Sequence, residues 1–275
     1  SEYYKATHNQ KALDVSKELY HLIEKYSYDK NIGGYLEAFS KDWQPITDLR
    51  LSEKDDNEKI TANTHLHVVE AYANLYMVWP DEILGARISA LLKIFSDHFI
   101  RKDNYHLNLF LDENWMVRSS LISYGHDIEA GWLLLQCAEI LGNREHIEEY
   151  KRLASKITDA AAEALDKDGG LWYEYEPGKD IWVKEKHSWS QAEAMIGFMN
   201  AYQLSGNEEY LKHSLNSWEF VKRYIKDNIN GEWFWGVDEI NKPMEKKDKA
   251  GFWKCPYHST RAFLEIINRI NLQST

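Results

Sequence analysis

Four times along the chain a long helical pattern gives way to a short aromatic stretch punctuated by glycine, and this alternation restricts the fold more than any other feature. Apolar residues recur at three- and four-residue spacing over about residues 9–27, 61–79, 81–99, 124–141, 144–165, 188–205, 207–227 and 258–271, the period of helices with at least one buried face. Between some of them lie Gly33–Phe39, Tyr105–Phe110, Gly169–Tyr175 and Gly231–Gly236, which read as short strand-like loops. His67, His126, Trp189 and His258 open every second helix at intervals of 59, 63 and 69 residues, a supersecondary repeat with variable loops. Helix starts are marked by Asp81, Ser188 and Asn207, and by Ser123 or Asp127 ahead of the run at Leu133–Leu135.

The two kinds of helix differ in character. Those before the loops are amphipathic and charged (Glu145, Glu148, Glu149, Lys151, Arg152), whereas those after the loops are apolar nearly all round (Ala192, Ala194, Met195, Ile196, Phe198, Met199). A helix without a polar face belongs inside. Alternating outer and inner helices predict an all-α fold, an (α/α)6 barrel with its loops clustered at one end. Four of the six hairpins are recognised, so the barrel is expected to be incomplete. At about 60 residues per repeat, roughly two N-terminal hairpins are expected to be missing. No low-complexity linker divides the chain, and a single domain over 1–275 is expected.

Composition narrows the function. Thirty-three basic against 44 acidic residues leave a net charge of −11, which argues against an extended nucleic-acid footprint. Cys137 and Cys255 form no disulfide framework, pointing to a reducing, cytoplasmic setting. No run approaches the roughly 20 apolar residues of a membrane span. The first residue is Ser1, so a processed product or a fragment is expected. Eleven tryptophans and 17 tyrosines serve the core first, but aromatics are also what stacks on sugar faces.

The starts of the inner helices should converge on one cavity. Asn63 and His67 are four apart and share a face; His65 points elsewhere and is expected to be structural. His126 and Glu129 are three apart and can touch. Trp189 and Glu193 share a face, and His258 lies in the first turn after Pro256, followed by Arg261. A lone histidine is more often a core or cap residue than a catalyst. Three of them recurring at the starts of inner helices point to a shared polar site.

No H-E-x-x-H, G-x-S-x-G, G-x-G-x-x-G or P-loop pattern is present, and no metal or other cofactor is expected. A glycosidase would place two carboxylates across a cleft. Glu129, Glu193, Asp112 and Asp127 are candidates for that role, but they leave the histidines unexplained. Paired imidazoles near helix N-termini suit reversible proton abstraction beside a carbonyl, taken from one face and returned on the other.

The stretches Asn63–Tyr72, Gly125–Ala130, Trp189–Ala194 and Trp253–Arg261 together resemble the N-acylglucosamine 2-epimerase superfamily, most closely its cellobiose 2-epimerases. The resemblance implies an (α/α)6 barrel and epimerisation at C2 of the reducing-end sugar of a β-1,4-linked disaccharide such as cellobiose or lactose. It implies no metal or nucleotide. It also implies that His126 and His258 are the acid/base pair, with Glu129 orienting His126 and His67 assisting ring opening. Asn63, Trp189, Trp253, Glu193 and Arg261 are implied as substrate ligands, Trp253 toward the non-reducing sugar. The expected partner is thus a small disaccharide, with no nucleic acid and no membrane, bound by a monomer or weak dimer. Three rivals share the scaffold: an aldose–ketose isomerase or N-acylglucosamine 2-epimerase of the superfamily, a carboxylate-based hydrolase or lyase, and a non-catalytic carbohydrate-binding or interaction protein.

Overall fold

A computed structural model of the chain describes residues 1–50, 52 and 55–273. Its nine α-helices among these residues are α1 (Glu2–Thr7), α2 (Gln10–Tyr26), α3 (Ala62–Tyr76), α4 (Glu82–Ile94), α5 (Tyr124–Leu141), α6 (Arg144–Ala162), α7 (Ser188–Ser205), α8 (Glu208–Phe220) and α9 (Tyr257–Gln273). The fold is all-α, with short strands confined to the loops, as the periodicity predicts. Helix α1 was not anticipated; it is short and buries no residue. Asp81 and Asn207 cap α4 and α8 with side-chain hydrogen bonds as expected. Ser188 is already inside α7, whose N-cap is His187 and makes no side-chain cap bond. Both α4 and α8 end in a five-residue π-turn, Phe95–Phe99 and Val221–Ile225, closed by i→i+5 amide bonds at Ile100 and Lys226.

Two compact units carry these elements. The first comprises residues 1–103, 107–120 and 133–150; the second comprises 104–106, 121–132 and 151–275. In the first, α3 and α4 form an antiparallel hairpin with α2 beside α3. Its half-buried polar hub is Glu24, which accepts from the hydroxyls of Tyr35 and Tyr72 at 2.6 and 2.8 Å and from Arg87 Nε at 2.7 Å. In the second, α7 and α8 form a hairpin and α9 lies against α7. Residues Ser190–Ala201 of α7 are all buried, as expected of an inner helix. The apolar centre of this unit is built from Ile122, Tyr124, Ile128, Ala161, Leu171 and Phe198, among others.

The β-loops follow one rule. The strand entering an inner helix pairs antiparallel with a strand of the loop that follows the next outer helix. Thus β3 (Ile60–Thr61) pairs with β4 (Phe110–Leu111) in the first unit. In the second, β5 (Ile122–Ser123) pairs with β6 (Glu174–Glu176), which also pairs with β7 (Ile181–Val183), and β8 (Lys186–His187) pairs with β9 (Gly236–Val237). The remaining hairpin, β1 (Tyr28–Asp29) with β2 (Gly34–Tyr35), follows α2. In each strand–helix junction the first helical amide donates into the partner loop: Ala62 to Leu109, Tyr124 to Tyr173 and Ser188 to Trp235, at 2.9, 3.2 and 2.9 Å. These bonds satisfy amides that a helix start leaves without intrahelical partners.

Three residues later α3, α5 and α7 each carry a fully buried polar side chain that braces an aromatic loop. His65 Nε2 accepts from the Tyr35 amide at 3.1 Å, so its Nδ1 carries the proton and donates to Thr61 O at 2.8 Å. Asp127 Oδ2 pairs with His106 Nδ1 at 2.7 Å. Gln191 Oε1 accepts from the Leu171 amide at 2.7 Å while its Nε2 donates to Leu171 O at 2.9 Å. All three have zero exposure. A satisfied polar brace of this kind fixes a loop without leaving a desolvated group unpaired.

Burial lowers the pKa of His65 to about 4. The folded protein therefore disfavours the imidazolium, and the stability His65 contributes is complete above its unfolded value near 6.5 and drains as pH falls toward 4. Glu37 runs the other way: burial raises it to about 7, against the donated Thr61 and Thr64 hydroxyls, so its contribution grows as pH falls from about 7. His65→Gln, which copies the brace used by Gln191, isolates the first effect. The stability difference between wild type and H65Q, read from urea denaturation, should shift against wild type by about 2 kcal/mol between pH 7.5 and pH 5.

Candidate functional site

The second unit brings the starts of α5, α7 and α9 together around one indole. Trp189, the second residue of α7, has its ring centroid 4.9 Å from that of His126 and 5.4 Å from that of His258. His126 is the third residue of α5 and His258 the second of α9, and both rings are partly exposed. Two imidazoles from different helices thus meet a single tryptophan, and neither residue is sealed from solvent. The close approach depends on Gly125. A Cβ there would lie 2.4 Å from Trp189 Cη2 and 2.6 Å from Ser190 Oγ, which explains glycine in the Gly125-His126-Asp127 sequence.

The imidazoles are held by different chemistry. His258 Nδ1 is 2.8 Å from Glu193 Oε1. Glu193 has no exposed surface; its Oε1 also accepts from Arg261 Nη2 at 2.7 Å and its Oε2 from Trp132 Nε1 at 3.0 Å. His126 Nδ1 instead lies 2.8 Å from the hydroxyl of Ser123. Glu129, expected to hold His126, makes no hydrogen bond with it: its Oε1 accepts from Arg261 Nη2 at 2.5 Å and its Oε2 has no partner. The spacing of three residues was sound, but an arginine from α9 draws the carboxylate away more strongly than a neutral imidazole can.

Two expected substrate ligands are corrected by their burial. Glu193 has zero exposure, and its carboxylate meets His258 rather than open surface. Arg261 is 12% exposed, bridges Glu129 and Glu193, donates Nη1 to Tyr257 Oη at 2.6 Å, and stacks against Trp132 and Tyr257 at 5.1 and 4.7 Å. Its role is to neutralise two buried carboxylates that would otherwise repel. Among the described residues, Glu129, Glu193 and His258 are the group whose ligand atoms lie close enough for a cation, within 4.8 Å. The guanidinium already supplies positive charge to both carboxylates.

The hydrolase candidates fare poorly. Asp127 is buried against His106. Asp112 accepts the Asn114 and Met116 amides within a turn, which hold its carboxyl below the usual range. Glu129 and Glu193 share one guanidinium and leave no cleft between them.

Beside His258 lies a shallow cleft lined by Trp189, Trp233, Trp235, Trp253, Glu232 and His258. Trp253 is 55% exposed. Its segment is fastened by Lys254 Nζ to Glu232 Oε1 at 3.0 Å and by Lys249 Nζ to Asp227 Oδ2 at 2.5 Å. In the first unit, Asn63 is the half-buried second residue of α3, and His67 lies one turn on with its Nδ1 3.4 Å from Glu70 Oε2. Sequence reasoning missed the roles of Gly125, Trp132 and Tyr257, and took Ser123 only as a cap. The one usable signal was a serine three residues before a first-turn histidine.

The N-acylglucosamine 2-epimerase family profile matches residues 2–262. The cellobiose 2-epimerase of Bacteroides fragilis is 42% identical over 97% of this chain and 68% of its own length. The D-mannose isomerase of Marinomonas mediterranea is 25% identical over 92% and 64%. Among solved structures, cellobiose 2-epimerase from Bacillus thermoamylovorans superposes with a TM-score of 0.91 at 40% identity, covering 98% of this chain and 68% of that one. The chain therefore spans about two thirds of the length of these epimerases.

Gly125→Ala tests the contact on which the site is built. The added methyl should displace Trp189, shift the ring-current-displaced proton resonances of His126 and His258, and cost about 1–3 kcal/mol in denaturation.

Proposed function

Because the chain belongs to the N-acylglucosamine 2-epimerase family, we propose that it inverts C2 of the reducing-end glucose of a β-1,4-linked disaccharide such as cellobiose or lactose, giving the mannose epimer. The observation that carries this reading is the pair of partly exposed imidazoles that both lie within about 5 Å of the Trp189 ring. Inversion by proton transfer needs one group to remove the C2 proton and another to return a proton to the opposite face. It also needs a surface for the sugar between them.

The steps follow. The pyranose opens to expose the C1 aldehyde. One imidazole takes the C2 proton; the C2–H electrons form the C1=C2 bond, and O1 becomes the enediol oxygen. Rotation about C2–C3 presents the other face. The second imidazole then protonates C2 as the C1 carbonyl re-forms. His126 and His258 are the acid/base groups, each able to serve in either direction. Glu193 orients His258, and Arg261 bridges Glu193 and Glu129. Trp189 stacks on the reacting sugar. Trp253, on the rim of the aromatic cleft, serves the non-reducing one, which suits a disaccharide. Asn63 and His67 are assigned to the reducing-end sugar on the resemblance of their motif, with His67 aiding ring opening. Cys137 and Cys255 are both free thiols, which supports a reducing, cytoplasmic setting.

A second reading, aldose–ketose isomerisation, uses the same imidazoles and the same enediol but returns the proton to C1. The similarity to a D-mannose isomerase keeps it in view.

Incubation with cellobiose in deuterated water separates the readings. A manno product with deuterium at C2 is expected; a ketose would indicate isomerisation, and free glucose would indicate hydrolysis. His126→Ala and His258→Ala should each lower exchange at C2 by at least about 100-fold with an unchanged circular dichroism spectrum. Near-normal exchange in either variant would remove that histidine from the mechanism.

A further inference from the structure

We infer that Ser123 is the positioning residue for His126: its hydroxyl holds the proton on Nδ1, which makes Nε2 the nitrogen that exchanges a proton. The inference rests on the epimerase reading for its kinetic consequence, but its geometry stands independently.

Ser123 is the last residue of β5, 1% exposed, and is locked in register opposite Glu174 of β6. Its Oγ lies 2.8 Å from His126 Nδ1. The corresponding residue ahead of α3 is Thr61, whose Oγ1 accepts from the Thr64 amide at 3.2 Å, an ordinary N-cap. Thr64 occupies the helix position that His126 occupies in α5. The serine is thus a capping hydroxyl set beside an imidazole. The strand, rather than the helix, decides where the ring's inner nitrogen finds its partner.

A hydroxyl is well matched to this task. It accepts from Nδ1–H when the ring is neutral and when it is protonated, so Nδ1 keeps its proton through both half-reactions and only Nε2 exchanges one with C2. No bond to Ser123 forms or breaks. The other imidazole has a carboxylate on its Nδ1, so the pair is asymmetric: one ring is oriented by a neutral dipole and the other by a charge. Loss of an orienting partner leaves histidine free to adopt the wrong tautomer, with Nε2 blocked by its own proton.

Ser123→Ala and Ser123→Thr test this. Threonine, which keeps the hydroxyl, stands at the matching position 61 with the same 1% exposure. In protein labelled with ¹⁵N-histidine, the His126 resonances (identified by their loss in His126→Asn) should show a protonated Nδ1 and a bare Nε2 in wild type and S123T. S123A should convert largely to the Nε2–H form. Turnover of cellobiose by S123A should fall on the order of 10- to 100-fold with KM within about 3-fold, and S123T should recover most of it. An unprotonated Nδ1 in the wild-type spectrum overturns the inference whatever the variants do. So does S123A with wild-type turnover, or a loss confined to KM. If wild type fails to exchange at C2, the epimerase reading falls, while the nitrogen shifts still decide the role of Ser123.

Discussion

The antiparallel pairing between the strand that enters an inner helix and the loop after the next outer helix is the constraint from which the site follows. A helix start presents amides without partners, and here those of Ala62, Tyr124 and Ser188 are taken up by carbonyls of a distant loop. The brace three residues on, supplied by His65, Asp127 or Gln191, ties a loop to the same helix from inside. With their first turns fixed from two directions, α3, α5 and α7 have little freedom to rotate. A side chain in that turn, such as His126 or Trp189, is therefore aimed by backbone geometry before any substrate contact is made. Catalytic groups held by regular elements keep their geometry better than groups on loops.

Charge within the site is organised around one guanidinium. Glu129 and Glu193 are both buried, and a shared positive partner offsets the repulsion between two such carboxylates. Arg261 Nη2 meets both, while the indole N–H of Trp132 takes the remaining oxygen of Glu193. The result is a fixed acceptor for His258 that needs little reorganisation when the imidazole gains or loses a proton. His126 is served by a hydroxyl instead. The difference suits a reaction in which the two rings exchange the roles of acid and base.

Much of the helical framework was legible from periodicity. Helices α5 and α7 lie where the apolar pattern puts them, and α7 is buried all round because its sequence offers no polar face. The register of the repeat was less accessible. His67, His126 and Trp189 looked like equivalent landmarks, yet they are the sixth, third and second residues of their helices. The true equivalents are His65, Asp127 and Gln191, three unlike residues doing one job. No similarity of residue type reveals them, because an imidazole, a carboxylate and an amide can all brace a loop. The pairing of His126 with Glu129 failed for a related reason: helical spacing says which side chains can meet, while competition from an arginine 132 residues away decides which do.

The sequence by itself determined the all-α class, the alternation of inner and outer helices and the two histidines worth testing, since these depend on local periodicity and on motif chemistry. Only the tertiary structure decided that both histidines meet the ring of Trp189 and that Ser123 and Glu193 lie on their Nδ1 atoms. It also showed Arg261 to be a clamp on buried carboxylates. Those outcomes depend on which groups approach within a few ångströms after folding, and on which of them lose water when they do; neither is encoded in spacing along the chain.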